Sequence, residues 1–413
     1  MKSTTLFKKT AIAAAIAMIT ACGGSGSGSG TTDTSSTTVG VVTGFGSVYA
    51  NGTKYETDST SFKKDGNPSS ESEMRVGDKC TIEGSVSADG TTGVATSISC
   101  NDELEGYVLS VSLDADGLGT LDVMGQTVTV NRDTVFDSDT YASITELLAD
   151  DIVEVYGFSD GAGTVVATRV ETKSDIDSDI EIKGLVSNLL ETTFTIGTLV
   201  VDYSTVTSMP DLTDGLYVEV KADAAPVDNG GVMTLTATYI EIEDDGDMDI
   251  DGDSGLELNV TGLVSNMIET GFTFNGSTFI DYTSVDIEDT FIITEGMTIM
   301  VEGYIDADGV FIPEEVVEEP ETEAETHGYV TAVAEGTISI SMDNGLTVET
   351  FTVNNETRMI DELNYDQYFN LTDVTEGAYV EIEYYTLDSG DMIATEIELE
   401  AAPMPEMEAA AAQ

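Results

Sequence analysis

Apolar residues recur at every second position in short runs: Leu121 and Val123, Phe194 and Ile196, Phe272 and Phe274, and Ile338 and Ile340 each alternate with polar or small neighbours. Successive side chains of a strand face opposite ways, so a period of two predicts half-buried strands. Asn51-Gly52, Asn275-Gly276 and Asn344-Gly345 predict tight hairpin turns, where glycine takes a positive φ at little cost. A second hairpin is predicted after turns at Val76-Gly77-Asp78, Ala149-Asp150-Asp151, Thr213-Asp214-Gly215, Thr294-Glu295-Gly296 and Thr375-Glu376-Gly377. Its tips are rich in Asp, Asn and Gly, as at Asp89-Gly90, Asp160-Gly161, Asn229-Gly230 and Asp308-Gly309. Ser143 is placed to cap a short helix running to Leu148.

The pattern repeats. GLVSNLLETTFTIGTLVVDYSTV begins at Gly184, and the closely similar GLVSNMIETGFTFNGSTFIDYTSV begins at Gly262. The same opening stands at Gly106 and Gly328, and a looser one at Gly40, giving spacings of 66, 78, 78 and 66 residues. Such an internal period predicts five units of one kind. Five strands with a short helix between the third and fourth is the order of a small OB-like barrel. The expected class is therefore all-β: tandem five-stranded OB-like barrels with short helices and acidic linkers. The units are read as 39–101, 102–172, 173–243, 256–313 and 326–400, with acidic linkers at 244–255 and 314–325 and a low-complexity tail at 401–413. Units this small bury little surface alone, so neighbours are expected to pack together. The shared pairs Asp202-Tyr203 and Asp281-Tyr282 align with Asn131-Arg132 and Asn354-Asn355, at the polar exit of the third strand. That reads as duplicated architecture rather than a duplicated ligand site.

The run from Gly44 to Tyr55 (GFGSVYANGTKY), followed by Arg75-Val76-Gly77-Asp78 and Glu83-Gly84, resembles the exported bacterial domain of unknown function numbered 5666. Gly106-Tyr107-Val108, the run Leu121 to Val128 and Thr134-Val135-Phe136 fit the same pattern. The resemblance extends to the later units through the internal repeat, although these lack the GFGS phrase. It implies tandem β barrels in lipoproteins and brings no catalytic residue or ligand with it.

Residues 1–21 carry Lys2, Lys8 and Lys9 ahead of an Ala/Ile/Met run too short to span a bilayer, the pattern of an export signal. The run Ile19-Thr20-Ala21-Cys22 resembles a bacterial lipobox, in which Cys22 is acylated and becomes the mature N-terminus. Acyl chains hold a protein on a membrane at roughly 0.8 kcal/mol per buried CH₂. Gly23 stands where lipoproteins kept at the inner membrane carry Asp, so the resemblance points to the outer membrane. Residues 22–38 read as a Gly/Ser/Thr tether with a reach of roughly 20–25 Å.

The precursor carries 14 Lys+Arg against 78 Asp+Glu, a net charge of −64. Residues 22–101 hold 9 acids and 5 bases, so the excess lies almost wholly beyond them. Such a field repels phosphate backbones, which argues against nucleic acid as a partner and leaves cations, basic proteins or polysaccharide at the cell envelope. A solvated surface accounts for most of this charge.

Cys80 and Cys100 flank the turn at Asp89-Gly90 symmetrically, so a hairpin with a three-residue loop centred on Gly90 sets them opposite each other. In an oxidising compartment they are expected to form a disulfide. His327 is the sole histidine, in a slot that holds Glu105, Lys183 and Thr261 in other units, and a slot this tolerant reads as a solvated strand face. A His-dependent triad and the usual His/Cys zinc sites fall with it. There is no Trp to stack a sugar, and units this small offer little cleft for a glycosidase carboxylate pair. The sharpest ligand candidate is Asp247, Asp249, Asp251 and Asp253, which with Gly252 match the first half of an EF-type calcium loop. The match then fails, because Leu258 stands at the twelfth position and Glu257 one residue early. A plain acidic linker is the competing reading. Asp175, Asp177 and Asp179 show the same alternation without the glycine.

Together these features point to a non-enzymatic lipoprotein anchored in the outer membrane and serving as a modular scaffold, adhesion element or partner-binding surface. No cofactor is required. The alternative is a calcium- or cation-responsive binding module with metal at the acidic junctions.

Overall fold

The computed structural model describes residues 34–402 apart from 89, 116, 139, 174–179, 244–255, 288–290, 308–309, 319–323, 343–345, 365 and 388–389. Cys22, Asp247, Asp249, Asp251, Asp253, the alternating acids of 175–179 and the turn at 344–345 lie outside the described residues.

The chain is all-β, in five repeated units. In unit 1, Thr34–Gly44 runs antiparallel to Val48–Ala50 on one side and to Lys79–Val86 on the other. Val48–Ala50 turns back into Thr53–Glu56, which lies parallel to Thr92–Cys100, and that fifth strand closes against Lys79–Val86. The resulting order 1-2-3-5-4-1 is that of an OB-like barrel, and closure removes free edges. Unit 2 repeats the ring with Leu104–Leu113, Gly119–Val123, Gln126–Val130, Ile152–Ser159 and Thr164–Lys173. Unit 5 does so with Ala324–Ala334, Thr337–Ser341, Glu349–Thr352, Tyr379–Thr386 and Met392–Glu400. In unit 3 the fifth strand is split into Met233–Thr236 and Tyr239–Ile242.

Unit 4 departs from the ring. Among the described residues its third strand, Thr278–Asp281, has no ladder with its fifth, Phe311–Glu318, whose one parallel partner is Asp286–Ile287, a pairing that units 1, 2 and 5 also have at Ser61–Lys64, Val135–Asp137 and Arg358–Asp361. Opposite the bulge glycine of the fourth strand, unit 2 has Ala167 (across from Gly157) and unit 4 has Pro313 (across from Gly303). Proline brings no N–H to a ladder, which weakens closure at that register.

The repeated phrase now has a structural reading. The valine two residues after each marker glycine exchanges two backbone hydrogen bonds with the turn before the fourth strand. Gly77 N–H donates to Val42 O at 2.8 Å, Asp150 to Val108 at 2.8 Å, Gly215 to Val186 at 2.8 Å, Gly296 to Val264 at 2.9 Å and Gly377 to Val330 at 2.8 Å. Each valine donates back into the same turn, and all five are buried. The marker glycine itself allows a close crossing: a Cβ on Gly184 would sit 2.4 Å from Ile196 Cγ2, and one on Gly106 2.3 Å from Met124 Cγ. The closing Asn of GLVSN, Asn188 or Asn266, has φ of 52° or 49°, a left-handed conformation that Asn tolerates better than most residues. Tyr203 and Tyr282 pack on Phe194 and Phe272, while Asp202 and Asp281 accept from the backbone N–H two residues on. The duplicated pairs are turn and core residues.

The predicted helix from Ser143 shrinks to one 3-10 turn, Ile144–Glu146, with Ser143 Oγ accepting from Thr145 N–H. Leu148 N–H donates to the Asp151 carboxylate at 2.7 Å rather than to a helical carbonyl, which ends the turn. Two expected boundaries also move. Residues 34–38, read as tether, already belong to the first strand, and Phe311–Glu318 and Ala324–Ala334 extend the neighbouring strands into the 314–325 linker.

The units pack extensively. Units 2 and 3 share one apolar core that runs from Leu104 and Val155 to Phe194 and Val220. Ser36 to Val39 of unit 1 pair in parallel with Glu257 to Val260 of unit 4, and Val39 lies in the unit 4 core. Tyr156 of unit 2 is buried in the unit 1 core. Unit 5 docks on unit 1 through Thr43 Oγ1 to Asn355 O (2.9 Å), Asn355 Nδ2 to Gly52 O (3.1 Å) and Arg75 Nη1 to Gln367 Oε1 (2.7 Å). Each small barrel thus gains buried surface from its neighbours.

Candidate functional site

A cleft of about 300 Å³ lies where units 1, 2 and 3 meet, with Asn275 of unit 4 at its wall. Its floor comes from outward-facing positions of strands whose inward residues form the cores. Glu181 and Lys183 alternate with Ile180 and Ile182 on the first strand of unit 3, and Glu219 and Lys221 alternate with Val218 and Val220 on the fourth. Cross-strand register sets Lys183 opposite Glu219 and Glu181 opposite Lys221.

The charges form a chain. Lys183 Nζ lies 3.3 Å from Asp102 Oδ1 and 2.9 Å from Glu181 Oε1, and Lys221 Nζ lies 2.9 Å from Glu181 Oε2 and 2.7 Å from Glu219 Oε1. Lys79 pairs with Glu103, whose second oxygen is 3.3 Å from the Tyr217 hydroxyl. Burial raises the Glu181 carboxyl, but Lys183 and hydrogen bonds from Lys221 and Lys183 outweigh it and hold the group at about 2. Asp102 is pushed well up by burial, against the pull of Lys183. Glu243, at the cleft rim, is raised to about 7 by burial and by Glu219 and Glu241. Most residues lining the cleft are polar or charged, and its lysines and carboxylates largely satisfy one another.

A second ion-pair core joins units 1 and 2. The guanidinium of the fully buried Arg169 donates from Nε to Asp78 at 2.7 Å and from Nη1 to Glu171 at 2.6 Å, and lies 4.5 Å from the Tyr156 ring centre. Asp78 belongs to the turn that pins Val42, so the lock between units reaches the lock within one.

Of the sequence-predicted sites within the described residues, Cys80 and Cys100 are directly paired across the hairpin and form a disulfide with an S–S distance of 1.97 Å. His327 lies opposite Glu381, with Glu325 close by and its ring 6.0 Å from Tyr379. The reading of its slot as a solvated face needs correction. Thr261 in the same slot is 1% exposed and the Lys183 side chain 11%, because neighbouring units cover that face. Among the described residues, four groups bring three ligand atoms within 4.8 Å of one another: Asp65, Asp102 and Glu154; Glu219, Glu241 and Glu243; Glu325, His327 and Glu381; and Glu362, Glu398 and Glu400. Carboxylates this close can share a proton or a cation. Sequence reasoning missed these clusters and the cleft. The available signal was the Glu-x-Lys alternation at Glu181-Lys183 and Glu219-Lys221 in a chain so poor in bases.

Fold and geometry define a class: a chain of OB-like barrels fused into one body. The profile of a family described as "Domain of unknown function (DUF5666)" matches residues 33–99, 105–171, 269–316 and 327–398, more than half of the sequence, and the chain belongs to that family. Unit 3 and the opening strand of unit 4 fall outside the matched stretches but keep the topology. No curated protein matches the chain. Solved structures similar to it include one described as Drosophila Unr CSD456, with 12% identity over 72% of this chain and 97% of that one and a TM-score of 0.13. Another is a multidomain protein with nucleic acid binding domains from Streptococcus pneumoniae, with 9% identity over 55% and 76% and a TM-score of 0.15. Likenesses this distant carry no argument about function.

Proposed function

We propose that the protein is a non-enzymatic, lipid-anchored scaffold of the outer membrane whose fused barrels present a partner-binding surface. The observation that carries this reading is the fusion itself: the opening strand of unit 1 is hydrogen-bonded to the opening strand of unit 4, while unit 1 also holds units 2 and 5. A chain that spends its buried polar contacts on joining units is organised for presenting a fixed surface. The N-terminal signal and Cys22 support acylation and export, and the strongly negative charge favours a basic protein or a cation over nucleic acid. The lone histidine has carboxylates and a tyrosine as its close neighbours, which gives nucleophilic catalysis no support.

Crosslinking on intact cells is the test: a reproducible envelope partner is expected, and its capture should fail when Cys22→Ala removes the acylation site. Turnover by the purified protein that one carboxylate substitution abolishes would instead make it an enzyme. A second reading, a calcium-responsive module, rests on the aspartate ladder Asp247, Asp249, Asp251 and Asp253 between units 3 and 4. Calorimetry on the whole chain, with and without these four changed to Asn, decides it: equal calcium uptake by both removes the ladder from consideration.

A further inference from the structure

The outer sheet face of unit 5 is lined by acids in direct register. Glu381 lies opposite Glu398 and Glu383 opposite Glu396, while Glu325 of the first strand lies opposite Glu383. Like charges facing each other across a ladder destabilise a sheet when ionised. Glu362 and Glu400 extend the row, and His327, Tyr329 and Tyr379 face it from the first and fourth strands. The cation among them is Arg358, 8% exposed, whose Nε donates to Glu396 at 2.7 Å and whose Nη2 lies 3.7 Å from Asp133 of unit 2. A second contact to unit 2 starts from the same face, with Arg132 Nη1 3.6 Å from Glu325. Glu383 Oε2 and Arg358 Nη2 are both buried without a hydrogen-bond partner.

We propose that this face is a proton-held latch: protons held within its stacked glutamates leave Arg358 bridging unit 5 to Asp133 of unit 2, and loss of those protons in mildly alkaline conditions loosens that contact. Two electrostatic terms carry the switch. A neutral Glu383 leaves Arg358 to Glu396 and Asp133, whereas an ionised one adds a buried charge beside Glu396 and competes with Asp133 for Nη2. Burial first, and then Glu396 outweighing the pull of Arg358, raises Glu383 to about 8; burial and then Glu325 and Glu400 raise Glu381 to about 7. Burial and Glu396 likewise push Glu398 well above the carboxylate range. The folded values lie above the unfolded ones, so the stabilisation is complete at acidic pH and is lost as pH rises through about 7 to 8. The inference goes beyond the scaffold reading and does not depend on it.

The test is calorimetry of the full chain from about pH 6 to about pH 9, with limited proteolysis locating the first segment to open. The expected result is a fall of about 10 °C in the transition that releases unit 5, and a much smaller fall in the Glu383→Gln/Glu398→Gln variant, where amides stand for the protonated acids. If that variant fails to fold, the single Glu383→Gln chain, refolded from urea at neutral pH in weak buffer, must take up fewer protons than the unchanged protein. Equal proton uptake by the two, an equal fall in the double variant, or first opening elsewhere in the chain would overturn the latch.

Discussion

Units 3 and 5 build the same sheet face from equivalent positions and give it opposite electrostatics. The slots that carry Lys183 and Lys221 in unit 3, facing Glu219 and Glu181, carry His327 and Glu383 in unit 5, facing Glu381 and Glu325. Two replaced lysines turn a chain of ion pairs into a stack of acids. In unit 3 the glutamate between the lysines is held at about 2, while in unit 5 the corresponding face holds acids at about 7 and 8. The fold itself survives this exchange, because its hydrogen bonds and its core lie on the backbone and the inward face. Outward residues are therefore free to set how each unit responds to pH.

Breaking the unit 3 side should cost most. Lys183→Met leaves Asp102 and Glu181 buried without their main cation, and a loss of about 3–5 kcal/mol is expected in urea unfolding. A loss below about 1 kcal/mol would mean that the buried chain is not a structural element. Acid is the next probe, and its sign is opposite to that in unit 5. Glu181 and Glu171, both held at about 2, have folded values below their unfolded ones. Their stabilisation is present above about pH 4.5 and is lost as pH falls towards 2, on the order of 3 kcal/mol for each. Calorimetry should show the contacts of units 1, 2 and 3 failing first in acid.

The comparison can also be sharpened by grafting. His327→Lys places in unit 5 the cation that unit 3 has in the same slot, opposite Glu381. Lysine sets a full positive charge beside Glu381, so a gain of about 1 kcal/mol is expected near pH 8, shrinking at acidic pH where Glu381 is neutral. A variant less stable at every pH would refute the equivalence of the slots. Salt should have the smallest effect. Screening ought to raise the alkaline stability of unit 5 by a few tenths of a kcal/mol and leave the buried pairs of unit 3 almost unchanged.

Much of this architecture was legible in the chain. Alternation marked the strands, Asn-Gly and Asp-Gly marked the turns, and the interval between marker glycines counted the units. Each signal is local: a side chain's face, a φ value, or a repeated close crossing such as that of Gly184 and Ile196. The disulfide was legible for the same reason, since Cys80 and Cys100 are neighbours through a single hairpin.

What the units do to one another was not legible. Nothing near Ser36 announces that it will pair in parallel with Glu257, and nothing near Arg169 announces Asp78. His327 and Lys183 occupy the same slot, yet one lies on an acidic sheet face and the other is buried in a chain of ion pairs. The sequence by itself determined the barrels, because their turns, strands and cores arise from residues close along the chain. Only the tertiary structure decided the cleft, the ion-pair locks and the acidic face, because a charge takes its meaning from neighbours that packing brings from other units, and from the water that packing removes.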